Sequence, residues 1–153
     1  MRGYAVEALV VYESQFGNTR QVADAICRGL GPGARAVGAS DEIRPDKLPP
    51  GALLVVGSPI VGWKPLEDIG AWLGALEPGS LKGLRAAAFD TRVKLFIHGD
   101  AARKIAHALE DAGAELVSEP TGFFVAGKEG PLLDGELERA EHWGTQLAGL
   151  MAG

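Results

Sequence analysis

Apolar runs of strand length alternate along this chain with stretches in which apolar residues recur every three to four positions. Unbroken apolar runs such as 52–56 and 86–89 are typical of strands covered on both faces, as in a parallel sheet. The pattern predicts five strands, at residues 6–13, 34–38, 52–57, 85–90 and 115–118, the last continued at 123–126.

The stretches between these strands predict helices. In the first, Val22, Ile26 and Leu30 fall on one face. The predicted helices span residues 18–30, 65–76, 100–112 and 136–151, and Pro65 fits the first turn of its helix. The connection 39–50 contains three prolines and has room only for a helical turn or two. This order predicts a single α/β domain over residues 1–153, with a doubly wound parallel sheet and right-handed crossovers.

Net charge, the length of apolar stretches and the cysteine count limit the classes of function that this chain can have. The net charge of −5 argues against a nucleic-acid partner. Glu7 interrupts the region where a signal peptide would be apolar, and the longest apolar stretch, 51–63, is too short to span a membrane and contains Pro59. We therefore expect a cytoplasmic protein without a membrane span. Cys27 is the only cysteine, which excludes a disulfide within the chain, and its helical spacing predicts a small core residue.

A polar turn joins the strand that ends at Tyr12 to the first helix. It consists of Ser14, Gln15, Phe16, Gly17, Asn18 and Thr19. Unpaired N–H groups and the positive end of the helix dipole favour an anion there, and Gly17 lets the backbone curl around it. The turn lacks both the lysine of a nucleoside-triphosphate loop and the three glycines of a dinucleotide fingerprint, which leaves a phosphate monoester. The alternative is an ordinary turn whose Ser and Asn cap the helix.

This strand, its Ser-x-x-Gly-x-Thr turn and the alanine-containing helix resemble the phosphate loop of flavodoxins. The resemblance implies flavin mononucleotide (FMN) as cofactor and a flavodoxin-like sheet of order 2-1-3-4-5 with helices on both faces. In such sheets the ligand lies at the carboxyl ends of the strands, at the switch point between the first and third. The loops after strands one, three and four are therefore expected to meet at one ligand.

The loop after the third strand displays a tryptophan between glycines. By the resemblance, the ligand-binding residues of this loop are Ser58, Pro59, Ile60, Val61, Gly62 and Trp63. The Trp63 indole would stack on the flavin ring, and the backbone of 58–62 would meet its N5 atom. The alternative is that Trp63 packs against its own helix. Trp72 and Trp143 fall on predicted helices and are expected in or near the core.

The loop predicted after the fourth strand contains Asp90, Thr91, Arg92 and Lys94, and Phe89 before it is expected to be buried. It departs from the aromatic and acidic residues of typical flavodoxins. We assign Asp90, Thr91 and Arg92 to the flavin site. Positive charge near the flavin N1 atom would favour the anionic reduced flavin and raise the reduction potential. In the alternative, Arg92 and Lys94 face solvent.

Three functions fit these residues. The first is an FMN electron carrier that serves a redox partner protein or a small redox substrate. The second is an FMN-dependent oxidoreductase of the quinone reductase or protoporphyrinogen oxidase type, and the third is a flavin-free interaction domain. His98, His107 and His142 are scattered and predicted to lie at the surface, and the chain has no G-x-S-x-G motif. No residue stands out as an acid, base or metal ligand, which favours the carrier.

Overall fold

The fold was analysed in a computed structural model, which describes residues 7–39, 45–60, 65–94 and 100–152. The strands are β1 (Ala8–Tyr12), β2 (Ala34–Gly38), β3 (Leu53–Pro59), β4 (Arg85–Val93), β5 (Glu115–Leu116) and β6 (Thr121–Val125). The helices are α1 (Asn18–Leu30), α2 (Glu67–Gly74), α3 (Ala101–Asp111) and α4 (Glu136–Ala152). A short 3-10 turn, Pro45–Lys47, is the only helical piece in the described part of the second crossover.

All strands pair in parallel, in the order β2-β1-β3-β4, with β5 and β6 both paired to the free edge of β4. Two short strands thus occupy the fifth position of the sheet. This agrees with the prediction of a fifth strand that is interrupted between residues 118 and 123. β5 pairs with the start of β4, and β6 pairs with its end. The predicted flavodoxin-like doubly wound sheet is confirmed.

Apolar side chains cover both faces of the sheet because successive strand residues point to opposite sides. On one face, β1 and β3 pack against α1 and α4 through residues such as Val10, Ile26 and Leu147. On the other face, α2 and α3 cover the sheet through Ile69 and Ile105. The central strands β1 and β3 and the first half of β4 contribute buried apolar residues to both faces, which explains the unbroken apolar runs in the sequence.

Three aromatic rings fill the core beneath α4. Phe89 meets Phe123 and Trp143 edge-on, with ring centroids 6.1 and 6.2 Å apart, a geometry that suits the ring quadrupoles. Phe89 is fully buried and Trp143 nearly so, which confirms both predictions. Trp72 is partly buried against the opposite core.

The fourth strand is longer than predicted. It continues to Val93 rather than ending at residue 90, so that Asp90, Thr91 and Arg92 belong to the strand and not to a turn. The extension is paired on both sides, by Pro59 of β3 and by Val125 of β6. Tertiary pairing outweighs the turn propensity of this polar stretch.

Helix α2 is shorter than predicted, and it begins after Pro65. Leu66 is its N-cap, so Pro65 precedes the helix instead of lying in its first turn. The N–H of Leu66 donates to the Ser58 hydroxyl, 2.8 Å away, which anchors the chain outside the helix. No helix in the described ranges is long and apolar enough to cross a membrane.

Candidate functional site

The carboxyl ends of β1, β3 and β4 lie side by side. Tyr12 pairs with Gly57, and Pro59 pairs with Thr91. Beyond the strands, the N–H of Ile60 donates to the carbonyl of Thr91 at 3.2 Å. The loops after these three strands therefore start from one edge of the sheet, as the sequence predicted.

The loop between β1 and α1 curls around the Ser14 side chain. The Ser14 hydroxyl oxygen accepts hydrogen bonds from the N–H groups of Gly17 (3.0 Å) and Arg20 (3.3 Å). Gly17 has φ of 93°, a left-handed conformation that side chains with a Cβ resist, and it is the N-cap of α1. Gln15 and Phe16 are exposed on the outside of the curl.

The start of α1 offers hydrogen-bond donors to an anion. The N–H groups of Asn18 and Thr19 have no acceptor within the helix, and none elsewhere in the described part of the chain. The first turn carries no acidic residue. A Cβ built on Gly17 would have no atom within 4 Å, so space is open beside these donors. This donor set suits a phosphate group.

The side chains of Asn18 and Thr19 bind other loops. The Thr19 and Thr91 hydroxyl oxygens lie 2.8 Å apart and are buried, which connects the start of α1 to the end of β4. The Asn18 amide donates from Nδ2 to the carbonyl of Glu129 at 3.1 Å. The expectation that these side chains contact the phosphate stays a prediction, since their known partners are protein atoms.

β3 continues two residues beyond its predicted end at residue 57, so that Ser58 belongs to the strand, where it holds the two ends of the following loop together. Its buried hydroxyl accepts from Leu66 N–H and donates to the Pro59 carbonyl, both at 2.8 Å. Pro59 and Ile60 are half-buried at the sheet edge. Val61, Gly62 and Trp63 lie outside the described residues, so the stacking of Trp63 on a ring stays a prediction.

Glu13, which the sequence reading left out, connects two of these loops. Its Oε1 atom accepts from the N–H of Ile69 in the first turn of α2 at 2.8 Å. The carboxylate thus serves the positive end of α2 rather than facing a phosphate at α1. The sequence signal for this role is the position of Glu13 directly before the candidate phosphate-binding turn. A carboxylate there would repel an anion unless it were bound to another part of the protein.

Asp90, Arg92 and Asp100 form an ion-pair cluster at the end of β4. Asp90 is fully buried and accepts two hydrogen bonds from Arg92, at 2.7 Å (Nε) and 2.6 Å (Nη2), and one from Ala102 N–H at 2.9 Å. Arg92 also lies 3.3 Å from Asp100. Burial is the largest influence on Asp90 and raises its pKa, opposed by the hydrogen bonds from Arg92.

This cluster corrects the prediction that residues 90–94 form a turn with uncompensated positive charge. The Arg92 side chain is only 13% exposed, and a Cβ at Gly122 would meet its Nε at 2.5 Å, so the guanidinium is enclosed by β6. Its charge is compensated by two carboxylates. The alternative that Arg92 faces solvent is wrong, whereas its contact with a flavin stays a prediction.

The remaining titratable candidates form no second site in the described ranges. His107 and His142 are exposed on α3 and α4, as predicted, and His98 lies outside those ranges. Cys27 packs against the core, where burial raises the pKa of its thiol to about 11. No group of three potential metal ligands occurs among the described residues.

Solved structures with the same fold include both single-domain and larger proteins. A flavodoxin from the domain Archaea superimposes with a TM-score of 0.76 at 22% identity, covering 95% of this chain and 99% of that one. Oxidised flavodoxin 1 from Bacillus cereus gives 0.72 at 17% identity, with coverage of 95% and 96%. The flavodiiron core of Flv1 from Synechocystis gives 0.72 at 21% identity, and covers 97% of this chain but 36% of that chain.

No curated protein sequence matches the chain significantly. The sequence model of the flavodoxin family matches residues 10–143, which include the loop between β1 and α1, nearly all of the sheet and about the first half of α4. Membership of this family implies a flavin cofactor, usually FMN. The chain belongs to the flavodoxin family.

Proposed function

We propose that this protein binds FMN at the carboxyl ends of β1, β3 and β4 and acts as an electron carrier. The observation that carries the proposal is the pair of N–H groups, of Asn18 and Thr19, that begin α1 beside the open space at Gly17. They are the donors that a phosphate monoester needs, and they lie at the edge where the three loops meet.

Different segments of the chain bind the phosphate and the ring of the cofactor. The N–H groups at the start of α1 bind the phosphate, and Ser14 holds the curl of the loop. The ring lies between residues 58–63, which form the end of β3 and the start of the loop after it, and the end of β4 at Asp90, Thr91 and Arg92. When bound, FMN supplies the redox chemistry, and the protein positions it and sets its electrostatic surroundings.

The carrier is favoured over a substrate-specific oxidoreductase because the buried polar side chains at this edge already have partners. Asp90 accepts from Arg92 and from Ala102 N–H, and the Ser58 hydroxyl is bonded on both its donor and acceptor sides. Neither is available as an acid or base. Steady-state oxidation of a reduced nicotinamide or of a quinol by the flavin-loaded protein would instead favour the oxidoreductase.

The phosphate assignment is tested by comparing FMN with riboflavin, which lacks the phosphate. Two charge-assisted hydrogen bonds, each worth roughly 1.5 to 3 kcal/mol, correspond to an affinity loss of at least about a hundredfold. Calorimetric titration of the apoprotein with each ligand measures this ratio. Equal dissociation constants would place the phosphate elsewhere.

The two glycines that cap α1 supply a matched mutational test. Gly17 and Gly31 flank the helix, both have positive φ (93° and 106°), and both have open space where a Cβ would lie. Each substitution by Ala strains the backbone to a similar degree. We expect Gly17→Ala to weaken FMN binding and Gly31→Ala to leave it unchanged, as measured by flavin fluorescence titration. An equal effect of both variants would argue against the site.

A further inference from the structure

A hairpin between β6 and α4 reaches the phosphate loop. We call residues 126–133 the return hairpin. Its two arms are held by hydrogen bonds from Ala126 N–H to the Pro131 carbonyl (2.8 Å) and from Leu133 N–H to the Phe124 carbonyl (3.0 Å). Its tip closes through Gly130 N–H and the Gly127 carbonyl at 2.9 Å. Sequence patterns assigned this segment no role.

The tip of the return hairpin packs directly on Asn18. The Glu129 carbonyl accepts from Asn18 Nδ2 at 3.1 Å, across 111 positions of sequence. Gly130 has φ of 107°, and a Cβ there would lie 2.7 Å from Asn18 Oδ1 and 2.8 Å from Nδ2. Asn18 is 8% exposed, so its amide is enclosed between hairpin and helix.

This contact acts on the part of the chain that carries the donors. Asn18 is the first residue of α1, and its own N–H is one of the two unpaired groups at that helix end. Helix ends fray readily, because their first N–H groups have no partner within the helix. A side-chain bond to a separate hairpin restrains both the position and the direction of these groups.

We propose that the return hairpin is a positioning element for cofactor binding: Asn18, held by the Glu129 carbonyl and the close approach of Gly130, fixes the N–H groups that receive the phosphate. Asn18 is a positioning residue in this scheme, since its side chain acts through the loop. The inference rests on the proposed function and deepens it, because it makes the phosphate affinity depend on residues remote in sequence.

The first test uses two variants that disturb the contact from opposite sides. Asn18→Ala removes the amide, and Gly130→Ala pushes against it. Both should weaken FMN about five- to tenfold and leave riboflavin affinity unchanged, since only the phosphate needs the fixed donors. The matched control is Gly135→Ala, which strains a glycine with φ of 85° outside the return hairpin, where a Cβ has no atom within 4 Å, and should bind FMN as the wild type does. Unchanged FMN affinity in Asn18→Ala, or an equal loss for riboflavin, would overturn the proposal.

The second test is made on the apoprotein, where no phosphate is present. Hydrogen exchange followed by mass spectrometry should show faster exchange in the 14–20 and 126–133 peptides of Asn18→Ala than in those of the wild type. Unchanged exchange would mean that Asn18 does not restrain the loop, and would also overturn the proposal. If the wild type binds no flavin, the proposed function fails instead, and the exchange comparison still reports whether the hairpin holds the loop.

Discussion

Two glycines decide how closely α1 and α4 approach each other. A methyl group at Gly144 would overlap the backbone oxygen of Ile26, and one at Gly29 would overlap that of Glu141. Thr145 lies at the same crossing, and its hydroxyl donates to the Glu141 carbonyl at 3.2 Å. The two backbones are therefore in direct contact, and the core beneath them, including Leu147, is closed by this contact.

The substitution Gly144→Ala should destabilise the fold although it improves helix propensity. Alanine gains up to about 1 kcal/mol over glycine in a helix interior. Separating two packed backbones costs about 1 to 3 kcal/mol or more, which outweighs that gain. Urea unfolding should therefore show a lower free energy of unfolding than that of the wild type.

Gly149 in the same helix provides the control. It is exposed, with no atom within 4 Å of a Cβ, so Gly149→Ala should be neutral or stabilising by a few tenths of a kcal/mol, up to about 1. If both variants respond alike, the close approach of α1 and α4 does not contribute to stability.

At the residue scale, the sequence reveals burial better than proximity. Phe89 and Trp143 could be predicted as core residues because large apolar side chains are usually buried away from water. From the sequence, Gly144 is only a residue of low helix propensity, because the local pattern does not show that α1 packs against it. Asn18 is similar: its type predicts polar contact, but its partner Glu129 lies 111 residues away.

At the scale of elements, the first turn of α4 covers the outer edge of the sheet. One side of β6 pairs with β4, and the other side is paired with the return hairpin only near its end, at Val125 and Leu132. On its other side, Phe124 N–H donates to Glu136 Oε2 at 2.7 Å, and Arg139 donates to the Gly122 carbonyl. The Arg139 guanidinium also lies over the Phe123 ring, 4.6 Å from its centroid. Backbone groups that would be exposed at an edge strand are thereby satisfied by side chains.

Glu136→Gln should destabilise the protein at neutral pH by about 1 to 2 kcal/mol, because it removes a charge that accepts from both Arg139 and Phe124 N–H. The hydrogen bond from Arg139 is the largest influence on Glu136 and holds its pKa below the ordinary value of 4.5. A lowered folded-state pKa contributes stability above the unfolded value that is lost as the pH falls through the folded one.

Urea unfolding at neutral pH and below pH 4 measures this contribution. The difference between wild type and Glu136→Gln should shrink on acidification, since protonation removes the same charge. Glu138→Gln is the matched control, because Glu138 is exposed in the same helical turn and should cost little at either pH. A difference that is independent of pH would mean that the charge of Glu136 is not what matters.

The predicted bounds of the helices and strands are wrong where tertiary contacts outweigh local sequence preferences. α1 and β2 have the bounds that the pattern predicts, because caps and periodicity agree there. β4 extends through Asp90 and Arg92 because these residues, two apart on one strand face, neutralise each other. The sequence leaves open whether the apolar segment 122–131, which includes most of the return hairpin, covers core, partner or substrate, because its pattern does not show that the tip contacts Asn18.

At the scale of the whole molecule, the chain is acidic, whereas the charges at the end of β4 are balanced. The chain carries a net charge of −5, and the ion-pair cluster of Asp90, Arg92 and Asp100 contains two carboxylates and one guanidinium, with Arg103 paired to Asp100 as a second cation. Arg92 is the cation of that cluster, at the strand end where the ring is proposed to bind.

Arg92→Gln should lower the reduction potential of the bound flavin, because removing positive charge disfavours the anionic reduced state. An isolated unit charge about 6 to 10 Å away would contribute roughly 2 to 3 kcal/mol at an effective dielectric of about 20. Compensation by Asp90 and Asp100 and screening by salt reduce this severalfold, to a shift on the order of 10 to 30 mV. Redox titration at two ionic strengths should show a shift that shrinks as salt is added.

Two further variants separate charge from structure in this experiment. Arg92→Lys keeps the charge but loses the paired hydrogen bonds to Asp90, and should leave the potential close to that of the wild type. Arg103→Gln makes the same change in net charge from a side chain that is 62% exposed and also paired with Asp100, and should shift the potential less than Arg92→Gln does. If Arg103→Gln shifts it as much, the net charge of the molecule sets the potential. If Arg92→Gln leaves the potential unchanged or raises it, Arg92 does not tune the flavin.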